Sequence, residues 1–260
     1  MVPDESAPSP FAAGDSRMIF GIESTVVRFD DAVYFVPGYA AHRPASRSIL
    51  DKRYFSPELH DLVGTIMSAR GGSMVHAGTF FGDMLPSFSR KTPSRVYAFE
   101  PVLENYLLAN AVVAENRLDN VMLLHAGLGA GPSIARVKTH NAEGRHIGGM
   151  SRIVRDPAKE GPGAQTVPLI SIDQLRIKDL SLIQLDVEGL ERVVLKGAVR
   201  TIEKQQPVIV LEGLRGNFSE ILEPLGYVDV GLVGDDHLYL TGNAVAEFGH
   251  LAEPPPAAAT

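Results

Sequence analysis

The sequence lacks cysteine and tryptophan, and it has no long run of apolar residues. Without a thiol the chain cannot form a disulfide, a thiolate zinc site, an iron–sulfur cluster or a cysteine nucleophile. A helix that crosses a membrane needs about 18 or more consecutive apolar residues, and no window of the sequence approaches this. The start, Met1–Pro10, carries acids and prolines where an export signal has a basic flank and an apolar stretch. We therefore expect a cytoplasmic protein with no membrane partner.

Basic residues are the minority among the charges, with 24 Lys and Arg against 31 Asp and Glu and a formal net charge of −7. This balance argues against nucleic acid as a partner bound through a basic surface. The sequence also has no His-Glu-x-x-His, Gly-x-Ser-x-Gly or Gly-Lys-Ser/Thr motif, so it gives no support to a zinc protease, an esterase or a Walker-type nucleotide site. The hydrophobic share of 45% is that of an ordinary globular protein.

From residue 74 onward, short apolar runs alternate with segments of helical periodicity. This alternation predicts an α/β protein with a mostly parallel sheet that helices cover on both faces. The last two runs, Tyr227–Leu232 and His237–Leu240, are joined by a short turn, which favours an antiparallel hairpin. The other predicted strands are 74–75, 96–99, 121–124, 182–185 and 208–211, and the predicted helices are 84–90, 102–116, 189–205 and 217–224.

The flanking segments differ from this core in pattern. Two β-rich runs around Asp30-Asp31 predict a hairpin, and Ser56-Pro57 starts a predicted helix. The free edge of that hairpin offers a surface for pairing between subunits, so a homo-oligomer is one expectation. Segment 131–165 is rich in Gly, Ser, Arg, His and Pro, which is typical of a lid or of a solvated insertion. The expected division is a disordered tail at 1–16, a hairpin and helix extension at 17–72, a main domain at 73–245 and a disordered tail at 246–260.

A glycine-containing turn follows the predicted strand at 74–75. Gly78 and Gly82 allow a backbone to approach a ligand closely at the carboxyl edge of the sheet. Glu100 ends the next strand 22 residues after Gly78, an interval at which an acid reaches the two hydroxyls of an adenosine ribose. A tight turn with a surface glutamate explains the same residues about equally well.

Two adenosine ligands compete for this turn. A dinucleotide such as NAD favours Gly-x-Gly-x-x-Gly, which is absent, and Phe80, Phe81 and Asp83 oppose a doubly negative pyrophosphate. The same residues are compatible with a zwitterionic amino-acid group beside a sulfonium. The turn therefore favours S-adenosylmethionine, with an NAD-linked oxidoreductase as the alternative.

Four segments together resemble FkbM-type S-adenosylmethionine-dependent methyltransferases: Val75–Asp83, Ala98–Pro101, His125–Gly129 and Leu182–Ala198. The resemblance covers roughly residues 55–240. It implies a seven-stranded Rossmann-like fold and O-methylation of a sugar or natural-product hydroxyl, with His125 and Ala126 bordering the adenine. The residues expected to bind the cofactor are His76, Gly78, Thr79, Phe80, Gly82, Asp83, Glu100, Pro101, His125, Ala126 and Asp186.

The sequence departs from the family pattern at three places. His76 stands where the family usually has Asp, Thr79-Phe80 replaces Ala-Asn, and Gln184 replaces Lys. The loss of an acid at residue 76 puts the geometry of the cofactor in question. A degenerate domain that binds the cofactor without catalysis is therefore a further alternative.

Candidates for the proton-accepting group are Asp186, Glu188 and Glu212 at strand ends, together with His146 in the predicted lid. Alternatively, two of the carboxylates hold a magnesium ion that acidifies the acceptor hydroxyl, although no dedicated metal site is predicted. Glu188 also has a simpler explanation as a cap of the following helix, and Glu191 is expected to be a solvated helix residue.

Overall fold

The computed structural model describes residues 14–154, 163–212 and 218–253. In the described part of the chain, no helix is both long and apolar enough to cross a membrane. The strands are β1 (Ser16–Ile19), β2 (Ile22–Phe29), β3 (Ala32–Pro37), β4 (Ser73–Ala77), β5 (Val96–Phe99), β6 (Val121–Leu124), β7 (Gly127–Leu128), β8 (Ser133–Lys138), β9 (Arg152–Val154), β10 (Gln165–Ile170), β11 (Leu180–Leu185), β12 (Val208–Glu212), β13 (Tyr227–Val233) and β14 (Asp236–Thr241). The α-helices are α1 (Pro44–Leu50), α2 (Pro57–Arg70), α3 (Leu85–Lys91), α4 (Leu103–Glu115), α5 (Ile172–Leu175), α6 (Glu191–Lys196), α7 (Val199–Gln205), α8 (Ser219–Leu222) and α9 (Gly242–Phe248).

A seven-stranded sheet in the order β13-β14-β12-β11-β4-β5-β6 forms the centre of the fold. Neighbouring strands from β12 to β6 are parallel, whereas β14 runs antiparallel to both β12 and β13. Every residue of β4 is buried, as expected of a strand covered on both faces. The predicted α/β class, the Rossmann-like sheet of seven strands and the antiparallel C-terminal hairpin are confirmed.

Hydrophobic cores lie on both faces of this sheet. On one face Met74 of β4 packs in a cluster with Ile66 of α2 and Phe88 of α3. On the other face Val75 packs in a cluster with Val194 of α6, and α5, α7 and α8 complete that layer. Because successive side chains of a strand point to opposite faces, β4 contributes to both cores and is fixed in the middle of the molecule.

An antiparallel sheet in the order β1-β2-β3 precedes the main domain. The expected hairpin is present as β2 and β3, with Phe29 opposite Ala32. Its buried face packs in one cluster with Phe81 and with Leu108 of α4. The antiparallel sheet is therefore joined by a shared core to the turn that contains the glycines.

The expected tails are too long at both ends. The tail predicted at 1–16 is wrong in its last residues, because Gly14 N donates to Val26 O and Ser16 lies in β1; residues 1–13 lie outside the described residues. The tail predicted at 246–260 is wrong over 246–253, since α9 continues to Phe248, whose buried ring belongs to the core beside α2. The rest of that tail, 254–260, is outside the description.

The segment predicted as a patternless lid at 131–165 contains regular structure. Strands β8 and β9 and the first residue of β10 belong to a small sheet in the order β7-β10-β8-β9, while 155–162 lie outside the described residues. Val137 and Val167 pack together against Val102, which gives this sheet a core of its own. We keep the name lid for residues 131–165 and the name N-terminal extension for residues 17–72.

The helix predicted at 189–205 is also wrong as a single element, because it consists of α6 and α7. The break falls at Gly197, where the backbones of two segments meet closely. A Cβ atom on Gly197 would lie 2.1 Å from Gly129 O. The contact excludes a side chain and favours a turn at this position.

Candidate active site

A cavity of about 370 Å³ opens at the carboxyl edge of the parallel strands. This is the edge where open α/β sheets bind ligands. The floor comes from the ends of β4, β5, β11 and β12, and the opposite side comes from the N-terminal extension and the lid. Nine of the predicted site residues line it: His76, Gly78, Phe80, Asp83, Glu100, Pro101, Asp186, Glu188 and Glu212.

The turn after β4 requires glycine at two positions, each for a different contact. Gly78 has φ +94°, and a Cβ atom there would lie 2.0 Å from Asp186 O. Gly82 has φ +87° and approaches α4 instead, with Ala109 Cα 3.1 Å from its hypothetical Cβ. Gly78 therefore shapes the cavity directly, whereas Gly82 packs the turn against a helix.

Phe80 adopts a left-handed backbone conformation with φ +51°, which is rare for a bulky residue. Asparagine tolerates this conformation, which gives a physical reason for the Asn that the related sequences carry here. Phe80 is held by packing, because its ring contacts Phe81 edge-on with 4.9 Å between centroids. It also lies under the lid, within 3.6 Å of a hypothetical Cβ on Gly149.

Glu100 is a buried carboxylate with a defined set of donors. Its Oε2 accepts the backbone N–H of Phe80 at 2.7 Å, and its Oε1 accepts that of Val102 at 2.8 Å. The side-chain Nδ2 of Asn105 donates to Oε1 at 3.3 Å. Burial raises the pKa of Glu100 to about 7, and these hydrogen bonds oppose the rise. The residue is thus directed into the cavity by the glycine-containing turn and by the start of α4.

His76 and Gln184 form one pair, although the sequence presents them as separate departures. They lie opposite each other on the paired strands β4 and β11, and His76 Nδ1 donates to Gln184 Oε1. Burial lowers the pKa of His76 to about 4, so the ring is neutral near neutral pH. Its Nε2 is buried and has no hydrogen-bond partner among the described residues, although the residue lines the cavity. The pair leaves one acceptor atom free for a donor on a ligand.

A row of carboxyl groups follows the sheet edge. Asp186, Glu212 and Asp236 lie at the ends of the neighbouring strands β11, β12 and β14, and Glu212 is directly opposite Asp236. Burial and the adjacent Glu212 raise the pKa of Asp186 well above its usual value. The same causes raise the pKa of Asp236 to about 7. Closely spaced carboxyl groups cannot all ionise at low cost, so this row retains protons near neutral pH.

Glu188 has φ +53° and lines the cavity beside this row. It is not the residue that caps α6. The N-cap position of α6 is Leu190, which makes no side-chain cap hydrogen bond. Glu191 Oε1 accepts the backbone N–H groups of Val187 and Gly189 in the preceding turn, at 3.1 and 3.2 Å. The expectation that Glu191 is a solvated helix residue is therefore wrong, because it is buried and fixes the turn that carries Glu188.

Asp83 is buried at the cavity, and burial raises its pKa to about 7. Five other predicted site residues are absent from the described lining of the cavity. His125 stacks on Tyr106 and approaches Pro101 O with its Nε2 at 3.1 Å. His146 lies in the lid, accepts the N–H of Gly148 on Nδ1 at 2.9 Å, and has a pKa lowered to about 4 by burial. The remaining three, Thr79, Gly82 and Ala126, are buried beneath the lining.

Several residues that line the cavity were not predicted from the sequence. Asn105 stands five residues after Glu100 in the first turn of the helix that begins at Leu103, and this spacing could have indicated that it lies near Glu100. Asp236 belongs to the short turn predicted between the last two strands. Arg43 lies in the N-terminal extension, where no motif indicates a site. Among the described residues, no group of three or more His, Asp or Glu has the arrangement of a metal site.

The chain is similar to known proteins over much of its length. Residues 76–228, more than half of the chain, match the family model of the methyltransferase FkbM domain. A search of curated proteins gives no significant match.

Solved structures with a similar fold include methyltransferase FkbM from Methylobacillus flagellatus, at 20% identity and a TM-score of 0.47, over 65% of this chain and 43% of that one. This chain thus spans less than half the length of that protein. An O-methyltransferase from Bacillus cereus in complex with SAH matches at 10% identity and a TM-score of 0.42, over 71% of this chain and 80% of that one. A methyltransferase from Geobacter sulfurreducens matches at 15% identity and a TM-score of 0.41, over 70% and 77%. All three TM-scores lie below 0.5. The assignment of the chain to a family therefore depends only on the match of residues 76–228 to the family model.

Proposed function

The chain belongs to the FkbM methyltransferase family, and on that premise we propose that it transfers a methyl group from S-adenosylmethionine to a hydroxyl of a sugar or natural-product small molecule. The observation that carries the proposal is the convergence of three features on one cavity. These are the glycine-containing turn with Gly78, the buried carboxylate of Glu100 and the free acceptor atom of His76. Each matches one part of the cofactor: the sulfonium end, the ribose and the ammonium.

The residues present fit this cofactor. Glu100 would accept a hydrogen bond from a ribose hydroxyl, and His76 Nε2 would accept one from the ammonium of the methionine group. Gly78 keeps the space between them open, because any side chain there would collide with Asp186 O. For the adenine, Pro101, Gly127 and Leu128 line the cavity in place of the expected His125 and Ala126.

S-adenosylmethionine supplies an electrophilic methyl carbon, so the protein has to align the acceptor hydroxyl and take up its proton. Asp186, beside Glu212, is the proton acceptor in this proposal. Both residues line the cavity at the sheet edge, and burial together with the adjacent Glu212 raises the pKa of Asp186. Glu188 is placed to contact the acceptor.

The two alternatives find less support in the structure. An NAD-linked oxidoreductase conflicts with the family, and the turn lacks the glycine spacing that a pyrophosphate requires. A degenerate site conflicts with the His76–Gln184 pair, since the two departures from the family pattern compensate each other across paired strands.

Calorimetric titration with S-adenosylhomocysteine, the product of the cofactor, tests this proposal. We expect a Kd in the micromolar range for the parent protein, no binding of NAD, and loss of about 100-fold in affinity in Glu100→Ala. The Ala variant loses one charged hydrogen bond to the ribose, which contributes about 1.5–3 kcal/mol. Repetition with magnesium shows whether the metal changes affinity. A parent protein that binds neither ligand, or a Glu100→Ala variant with parental affinity, contradicts the proposal.

A further inference from the structure

Tyr39, in the N-terminal extension, is connected to the ribose-binding carboxylate by a chain of hydrogen bonds. Its hydroxyl donates to Asn105 Oδ1 at 2.6 Å, and Asn105 Nδ2 donates to Glu100 Oε1 at 3.3 Å. Tyr39 lies outside residues 76–228, the part of the chain that matches the family. The connection therefore reaches the site from a segment that the family pattern does not include.

The chain of hydrogen bonds fixes the orientation of the Asn105 amide. Glu100 Oε1 accepts the Asn105 amide N–H and the Tyr39 hydroxyl donates to Oδ1, so the amide directs Nδ2 toward Glu100 and Oδ1 away from it. Burial raises the pKa of Tyr39, which keeps its hydroxyl protonated and able to donate to Oδ1. Without this donor, Oδ1 of the buried Asn105 would have no partner among the contacts described here.

Glu100 by itself has too few free acceptor positions for a ribose. A carboxylate accepts about four hydrogen bonds, and three donors already use it: Phe80 N, Val102 N and Asn105 Nδ2. The contact from Asn105 is the longest of the three. A ribose offers two hydroxyls, so one of them needs a partner besides the remaining position on Glu100. Asn105 lines the cavity, and its Nδ2 carries a second N–H group.

From these contacts we propose that Asn105 is a second contact of the cofactor ribose and that Tyr39 is the residue that positions it. Asn105 Nδ2 donates to one ribose hydroxyl while Glu100 accepts from the other. Tyr39 acts through Asn105 and does not touch the cofactor. The inference rests on the proposed use of S-adenosylmethionine and adds a specificity-determining residue to that site.

Tyr39 also joins the cofactor site to the lid. Its ring packs on the ring of His146, with 4.1 Å between centroids. The next residue, Ile147, accepts a hydrogen bond from Arg43 at 2.6 Å through its backbone oxygen. The N-terminal extension therefore contacts both the proposed ribose site and the lid through neighbouring residues. An ordered lid thus helps to hold the ribose site in place.

Titration of Tyr39→Phe with S-adenosylhomocysteine and with its 2′-deoxy and 3′-deoxy analogues tests the proposal. The variant loses one hydroxyl and keeps the ring that packs on His146. We expect the Kd for S-adenosylhomocysteine to rise about tenfold, because Asn105 is no longer held toward the ribose. We expect the effect to fall below about twofold for the one analogue that lacks the hydroxyl bound by Asn105. A purely structural role of Tyr39 would weaken all three ligands equally.

Tyr227→Phe is a matched control, since the Tyr227 hydroxyl donates to Pro207 O at 2.6 Å in a buried site away from the cavity lining. It should bind S-adenosylhomocysteine with parental affinity. Should Tyr39→Phe fail to fold, Asn105→Ser carries the same test with the same three ligands. Parental affinity in the variant, or equal losses for all ligands, overturns the role of Tyr39 and Asn105. A parent protein that binds none of the ligands overturns the proposed function itself.

Discussion

One wall of the cavity is the edge of the central sheet, and the facing wall is made by the N-terminal extension and the lid. In the sheet wall, strand pairing fixes His76, Glu100, Asp186 and Glu212, because each stands at or near the end of a buried parallel strand. In the facing wall, single side-chain contacts such as Arg43 to Ile147 O join the N-terminal extension to the lid. In the proposed function, the sheet wall determines the chemistry and the facing wall adjusts access and specificity.

If the sheet wall is rigid, a substitution that enters it should have the largest effect. Gly78→Ala places a Cβ where Asp186 O lies 2.0 Å away and strains a backbone at φ +94°. We expect a loss of about 3–5 kcal/mol in the free energy of unfolding and no measurable binding of S-adenosylhomocysteine. Urea denaturation and calorimetry measure the two effects.

The control for this change is Gly242→Ala in α9, where the added Cβ meets no described atom within 4 Å beyond its chain neighbours and the helix backbone. It should change the free energy of unfolding by less than about 0.5 kcal/mol. If Gly78→Ala had the stability of the parent protein, the sheet wall would be able to accommodate an added Cβ and would not be rigid.

The two walls should also differ in their pH dependence. The pKa of His76 is about 4 in the folded protein and roughly 6.5 when unfolded, so the unfolded state binds more protons between these values. Its contribution to stability is complete above pH 6.5 and is lost as the pH falls toward 4. Between pH 7.5 and 5 the parent should lose about 2 kcal/mol more than His76→Gln.

His146 in the facing wall has a pKa lowered in the same direction, but it is only partly buried. The corresponding difference for His146→Gln should be below about 1 kcal/mol, because solvent reduces the effect. Other buried histidines and carboxyls are present in both parent and variant, so most of their contribution cancels in each comparison. Equal differences for the two variants would remove this distinction between the walls.

The pairing of His76 with Gln184 allows a further test of the sheet wall. His76→Asp alone places a carboxylate beside a neutral amide in a buried site, and Gln184→Lys alone places an ammonium beside a neutral ring. The double variant restores opposite charges across β4 and β11, as in the related sequences. We expect it to be more stable than the sum of the single changes by about 1–3 kcal/mol, measured in a double-mutant cycle of urea denaturation. Additive effects would mean that the two departures are independent.

The sequence was sufficient for features that depend on neighbouring residues. The strands around Val75, Phe99, Ile183 and Ile209 are continuous apolar runs, and their alternation with helices indicated the parallel sheet. Glu100 was identified by its interval from Gly78. These signals are local, or they depend on a spacing that one βαβ unit imposes.

Features that depend on pairing between distant segments were not visible in the sequence. The link between His76 and Gln184 joins residues that are 108 positions apart, and no local pattern carries their register. Strand β8 has its Ile134 exposed and only Val137 fully buried, so its alternation is too weak to distinguish it from a loop. The contact of Tyr39 with Asn105 was not predictable either, because it also joins residues from distant segments.

A crystal structure of the parent protein with S-adenosylhomocysteine shows directly whether the cofactor binds through Glu100, Asn105 and His76. We expect ribose hydroxyl oxygens within about 3 Å of Glu100 and of Asn105 Nδ2, and the homocysteine ammonium at hydrogen-bond distance from His76 Nε2. A ligand bound elsewhere, or one bound in this cavity with its ribose away from Glu100, would contradict it.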